Sequence, residues 1–233
     1  MKKIFIIAAM AVAGMTTANA QEFKVGAKAG FLMSNVSVDS SSDIEAGKLI
    51  TSKLNTAFRP GFHFGAFIEY GFNEKIWVEA GVDYAFQGAK LKSVEATVIN
   101  VSDGSLFASE KANIKNGWLK TQQFNIPLWV KYDISGFRPK VGVNLGFLSK
   151  VKGNLEIEGG SAVENKSLTP DKKFDFGLGF GAEYNLPMGL FFDATFNLGL
   201  TKLSTKEKNN DGTYSEGGKF KNRVFQIGVG YKF

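Results

Sequence analysis

The stretch NRVFQIGVGYKF, residues 222–233, alternates without a break. Phe225, Ile227, Val229, Tyr231 and Phe233 fall on one side of an extended strand, and Gln226, Gly228, Gly230 and Lys232 on the other. The question it raises is what an apolar strand face ending on an aromatic carboxy-terminus is meant to meet. The same period-2 pattern recurs backward through the chain and marks eight strands: 23–33, 58–70, 76–87, 119–132, 139–149, 173–185, 190–201 and 222–233. One face of each is apolar and uncharged, as in Phe58, Pro60, Phe62, Phe64, Ala66, Ile68, Tyr70 of the second strand. The other face is polar or glycine.

An apolar face alone does not separate a soluble sandwich from a membrane barrel; the connections do. They span 34–57, 71–75, 88–118, 133–138, 150–172, 186–189 and 202–221, which alternates long and short throughout. Transmembrane barrels combine short turns on one side with long loops on the other, on an even number of antiparallel strands. Aromatic residues gather beside the short turns (Tyr70, Phe72, Trp77, Tyr132, Phe137, Tyr184, Phe191, Tyr231, Phe233), where a bilayer interface would hold them. Glycine on the polar face suits the narrow interior of an eight-stranded barrel. The expectation is an all-β fold: an eight-stranded antiparallel transmembrane β-barrel, an up-and-down meander. The terminal strand must then pair with the first, since a closed barrel leaves no edge in lipid.

The beginning of the chain agrees with a life outside the cytoplasm. Lys2 and Lys3 precede an apolar run over 4–14, and Ala18-Asn19-Ala20 supplies a small-residue cleavage site. The run is too short for a membrane helix, which needs about 20 residues. Residues 1–20 are therefore expected to be a signal peptide and 21–233 the barrel domain. Losing Lys2 and Lys3 lowers the net charge from +6 to +4, a mild excess that gives no reason to expect nucleic acid as a partner. Cysteine is absent, which excludes disulfides and thiolate metal sites.

Three segments carry a family resemblance: FNIPLWVKYDI (124–134), RPKVGVNLGFLSK (138–150) and FDFGLGFGAEYNL (174–186). In order and spacing they resemble the PorT-type outer membrane protein beta-barrel domain family, the porin family proteins of Bacteroidetes-like bacteria. The resemblance implies location in the cell outer membrane and leaves the activity open, because such a fold hosts many roles. The C-terminal aromatic strand, with Tyr231 and Phe233, also resembles the signal read by the barrel assembly machinery. Pro127, inside a strand of a barrel without edges, predicts a bulge or a missing bond.

The polar face becomes a lumen in this reading. Its candidate network comprises Lys24, Lys28, His63, Glu69, Glu79, Asp83, Lys131, Lys140, Asp175, Glu183, Asp193 and Lys232, with Arg59 beside them. Charges in a narrow interior must pair, so the expectation is a largely plugged lumen; a narrow channel for ions or small solutes is the alternative. An outer-membrane enzyme is the second alternative. His63 is the single histidine, with no serine motif and only Glu69 or Asp83 as partners from afar, so no enzyme, cofactor or metal is expected. The long connections would then carry the function. Residues 88–118 alternate on both sides of Asp103-Gly104, which predicts a hairpin rising above the membrane. Residues 202–221 carry a net charge of +2, which reads first as an ordinary mobile polar loop and second as a stretch suited to lipid phosphates. The expected partners are outer-membrane lipids, the assembly machinery, and an envelope or surface protein met through the loops.

Overall fold

A computed structural model describes residues 22–158, 162–208 and 213–233. The expected signal peptide over 1–20 lies outside the described residues. Eleven strands follow one another: β1 Glu22–Val38, β2 Ser41–Glu45, β3 Lys48–Gly71, β4 Ile76–Asn100, β5 Leu106–Tyr132, β6 Phe137–Ile157, β7 Ala162–Pro170, β8 Phe174–Asn185, β9 Leu190–Gly199, β10 Leu203–Lys208 and β11 Tyr214–Lys232. Eight of them form the ring. β1 pairs β3, and the ladder runs on through β4, β5, β6, β8 and β9 to β11, every pair antiparallel. β11 returns to β1, with Gly26 opposite Lys232 and Ile227 opposite Phe31. The Phe233 amide donates to the Val25 carbonyl at 2.8 Å, so the last residue closes the ring.

Alternation is what makes these segments strands, and it sets which side faces in. Along β4, Trp77, Glu79, Gly81, Asp83, Ala85 and Gln87 are buried, while Ile76, Val82 and the residues between look outward. A barrel can expose an apolar exterior because lipid, not water, covers it, and because every backbone group is satisfied across the ladder. The outward face accordingly carries Phe31, Phe62, Phe64, Val130, Val141, Phe180, Ile227 and Val229, all exposed.

At the short end the turns are tight. Ser135 and Gly136 both take positive φ, 53° and 91°, and Ile134 and Phe137 exchange backbone bonds around them, the two-residue turn that matches strand twist. In the turn after β3, the Asn73 carboxamide oxygen accepts from the amides of Lys75 and Ile76 at 2.9 and 2.8 Å. Pro127 occupies a gap in the ladder. β4 and β5 pair at Ala80–Leu128 and again at Asp83–Asn125 in unchanged register, with no pairing between, so the proline brings missing bonds and no bulge.

At the long end the hairpin expected over 88–118 is formed by β4 and β5. Residues 34–57, 150–172 and 202–221 depart from expectation: those of them that are described are largely strand, not loop. β3 begins at Lys48, β4 continues to Asn100 and β5 starts at Leu106, so the hairpin around Asp103-Gly104 rises well beyond the ring. β2 folds back on β3 through Ala46-Gly47, both at positive φ. β7 and β10 continue β8 and β9 after brief interruptions and pair with β6, β11 and each other. Their outward face meets water instead of lipid, which removes the apolar alternation that betrays a strand.

Candidate functional site

The interior is built in three layers. The lowest, near the short turns, is ionic. Lys131 comes from β5 and is fully buried; its Nζ lies 2.5 Å from Glu79 Oε2, 2.6 Å from Glu183 Oε2 and 3.4 Å from Glu69 Oε1. An ammonium has three protons to give, and three carboxylates surround it. Lys232 of β11 lies 2.6 Å from Glu183 Oε1 and 2.7 Å from Glu69 Oε2. Lys28 of β1 donates to Glu79 Oε1 at 3.1 Å. Lys140 of β6 bonds Asp193, and Arg138 bonds both Asp133 and, through Nη1 at 2.7 Å, Glu69. Five cations (Lys28, Lys131, Arg138, Lys140, Lys232) thus meet five carboxylates (Glu69, Glu79, Asp133, Glu183, Asp193), and the cluster is neutral. Neutrality is what such a place requires, since an uncompensated buried charge costs several kcal/mol.

Aromatic rings pack among these charges. Phe67, Trp77, Trp129 and Phe191 all point inward and are buried. Each cation of the cluster lies over one of them: Arg138 is 4.1 Å from the Trp77 ring, Lys140 and Lys232 are 4.9 Å from Trp129 and Phe191, and Lys28 and Lys131 are 5.7 Å from Phe67. Two of these rings, Trp77 and Phe191, were expected in the outer girdle. They face inward because, two residues from Glu79 and Asp193, they share the side that the register fixes for those acids. The inward glycines are where the rings lie. A Cβ on Gly230 would come within 2.5 Å of the Phe191 ring and 2.6 Å of the Ala27 carbonyl oxygen. The girdle itself retains Phe72, Tyr132, Phe137, Tyr184, Tyr231 and Phe233, all exposed at the short end.

The middle layer is polar and almost free of positive charge. His63 Nδ1 and Asp83 Oδ2 are 2.8 Å apart, both buried. Asp175 has no ion pair among the described residues. It accepts instead from Asn222 Nδ2 at 2.8 Å and from Gln123 Nε2 and Thr201 Oγ1, both at 3.2 Å. Asn125 joins the two carboxylates, bonded to Gln123 and close to Asp83. Between this layer and the ionic one is a cavity of about 30 Å³, lined by Lys28, Asp83, Trp129, Asp175, Asn197 and Gln226 among others. That is room for a water or two, since one water needs roughly 10–15 Å³ on this measure.

The third layer is apolar. Val36, Ala89, Leu148, Val151, Leu203 and Phe220 form a buried cluster across the strand extensions, with Val38, Leu119 and Leu168 against it. It lies above the polar layer.

Eight of the twelve residues proposed for the lumen meet in the ionic cluster: Lys28, Glu69, Glu79, Lys131, Lys140, Glu183, Asp193 and Lys232. His63, Asp83 and Asp175 lie in the layer above. Lys24 stands apart at the rim, 2.9 Å from Glu22 and partly exposed. Arg59, also half-buried, reaches only toward the Gln87 carbonyl at 3.5 Å. Arg138 and Asp133 were missed. Arg138 shares the parity of Lys140, two residues on, but was assigned to the turn. Among the described residues no group of three or more His, Cys, Asp or Glu is arranged to hold a metal.

A closed ring of eight antiparallel strands with an apolar exterior, an aromatic girdle and a filled polar interior defines an outer-membrane β-barrel. The model of the outer membrane protein beta-barrel domain matches residues 5–233, and the chain belongs to that family. No curated protein matches the sequence. Solved structures of similar shape include a major outer membrane protein from Thermus thermophilus, 16% identical, covering 92% of this chain and 100% of that one with a TM-score of 0.48. OprG from Pseudomonas aeruginosa is 16% identical over 92% of this chain and 97% of its own, with a TM-score of 0.46. AlkL, solved in lipid bilayers, is 14% identical over 94% and 93%, with a TM-score of 0.41.

Proposed function

We propose that this protein is a closed, non-enzymatic outer-membrane barrel whose work is done by the strand extensions it raises at its long end. The observation that carries this is the double closure of the lumen: a neutral ionic cluster at one level and an apolar layer at another, with space between them for only a water or two. A conduit needs a continuous wet path, and an enzyme needs a nucleophile or acid–base pair that substrate can reach. His63 and Asp83 form a pair, but both are sealed inside. In this reading residues 1–20 direct export, both termini lie in the periplasm, and the long end faces outward. Tyr231 and Phe233, exposed at the short end with rings 5.0 Å apart, serve recognition by the assembly machinery. The segments at 124–134, 138–150 and 174–186 support a PorT-type relationship within the family. An envelope or surface protein is the partner class suited to the extensions.

The test is conductance of the refolded mature chain in a planar bilayer, after a heat-dependent gel shift has shown that the barrel formed. A folded, silent barrel is the expected result. Steady ion-selective steps that change with Glu79→Gln would overturn it and make the ionic layer a selectivity filter.

A further inference from the structure

The outer surface just beyond the membrane carries a patch that nothing in the fold requires. On β4, β5 and β6 the outward aromatic band ends with Tyr84, Phe86, Phe124 and Phe147, and Phe147 packs on Phe174 of β8 at 5.5 Å. Immediately above it the outward residues turn basic. Lys120 of β5 registers directly opposite Lys152 of β6, Gln122 opposite Lys150, and Trp118 opposite Lys90 of β4. All four lysines are exposed. Like charges directly opposite on a sheet destabilise it, and here no acid intervenes. A groove of about 350 Å³ on this surface is lined by Arg59, Lys90, Lys92, Lys115 and Lys120 with Trp118 and apolar or neutral neighbours, and by no carboxylate. The nearest ion pairs on these strands involve Lys115 with Glu156 at 3.7 Å and Lys111 with Glu95 at 3.3 Å, at the upper margin and beyond.

We infer that this patch binds the phosphate groups of anionic lipids in the leaflet reached by the long end of the barrel. Height decides between lipid and any other anion. Lys120 stands four residues beyond Phe124, ~10 Å along the membrane normal for a tilted strand. That is the headgroup level when the aromatic band marks the edge of the hydrocarbon. Trp118 sits there as an interfacial anchor, with Lys120 Nζ 3.9 Å over its ring. A lipid phosphate between Lys120 and Lys152 removes the repulsion that the sheet register imposes. Its acyl chains then run down over Tyr84, Phe124 and Phe147. The site differs from the basic residues of β10 and β11, since β7 stands between β6 and β10. The choice of leaflet rests on the proposal that the long end faces outward; the phosphate site does not.

The test uses the full mature barrel refolded in detergent and titrated with bis-phosphorylated lipid A, with the same lipid stripped of its phosphates, and with inorganic phosphate. Binding of the phosphorylated lipid alone is expected, and it should weaken with added salt. The combined change Lys90→Gln, Lys120→Gln and Lys152→Gln should lower that affinity about a hundredfold, near the effect of three basic residues at a charged surface. The heat-dependent gel shift should be unchanged, since all three side chains are outside and exposed. Equal binding of the dephosphorylated lipid, or an unaltered affinity in the triple variant, would overturn the inference. Effective competition by inorganic phosphate would assign the site to a free anion and also sink it. Thiol labelling of a Ser102→Cys variant on whole cells tests orientation separately. Labelling from the periplasmic side only would cancel the outward placement while leaving lipid binding in detergent intact.

Discussion

At the scale of single residues, Lys131 is the centre of the molecule. Three carboxylates approach its ammonium within 3.4 Å, and none can be solvated once it is gone. Lys131→Met should destabilise the barrel by about 3–5 kcal/mol, the usual penalty for stranding a buried charge. Urea unfolding in micelles, followed by tryptophan fluorescence, measures it. Adding Glu79→Gln should restore part of the loss, and strict additivity of the two changes would mean that the ions do not interact. Gly230→Ala tests the packing of the ring below it. The new methyl must displace Phe191 or the Ala27 carbonyl, and a cost of about 1–3 kcal/mol is expected in the same assay. The inward acids and lysines were legible because parity alone assigns them. The inward rings were equally legible in principle, as Phe67 shares its side with Glu69 and Trp129 with Lys131. Reading aromatics as interfacial overrode that parity for Trp77 and Phe191. Lys24 has the right parity but lies at a strand end, where the lumen opens to water.

At the scale of elements, the ring strands announce themselves and their extensions do not. Where one face meets lipid, hydrophobicity alternates and the strand can be read to within a residue or two, as for β8 and β9. Each of β7 and β10 brings only one leucine to the interior, Leu168 and Leu203, and one apolar residue amid polar neighbours leaves no alternation to mark a strand. The β4–β5 hairpin was visible above the membrane because Asp103-Gly104 supplies turn chemistry and Gly104 takes φ of 70°. Such an extension depends on the barrel, but the barrel does not depend on its tip. Excising residues 96–110 and joining the strands by Asn-Gly should therefore leave the heat-dependent gel shift and the unfolding midpoint within about 0.5 kcal/mol of the parent, as for surface changes away from the core. A barrel that no longer folds would show instead that the tip nucleates assembly.

At the scale of the whole molecule, the closure we propose is redundant. The apolar layer and the ionic layer are separate in space and different in chemistry. Phe220→Ala opens the first without touching the second, so the variant should stay silent in a planar bilayer. Conductance from that single change would locate the seal in the apolar layer and leave the ionic one permeable. Loop alternation, strand count and the placing of aromatics and glycines all spoke for the barrel from the sequence. The layering did not, because it depends on which registers bring Leu203, Phe220 and Val36 to one height.

The two strands that complete the ring also complete its charge balance. β1 brings Lys28 and β11 brings Lys232; without them the ionic cluster holds three cations against five carboxylates. A chain in which β1 and β11 have not yet joined the ring would leave up to two negative charges of the cluster uncompensated. We expect correct assembly to be checked twice, by backbone pairing and by charge balance. Chains carrying Lys232→Met should linger as protease-sensitive, unclosed species during folding into lipid vesicles, at a pace the parent does not show.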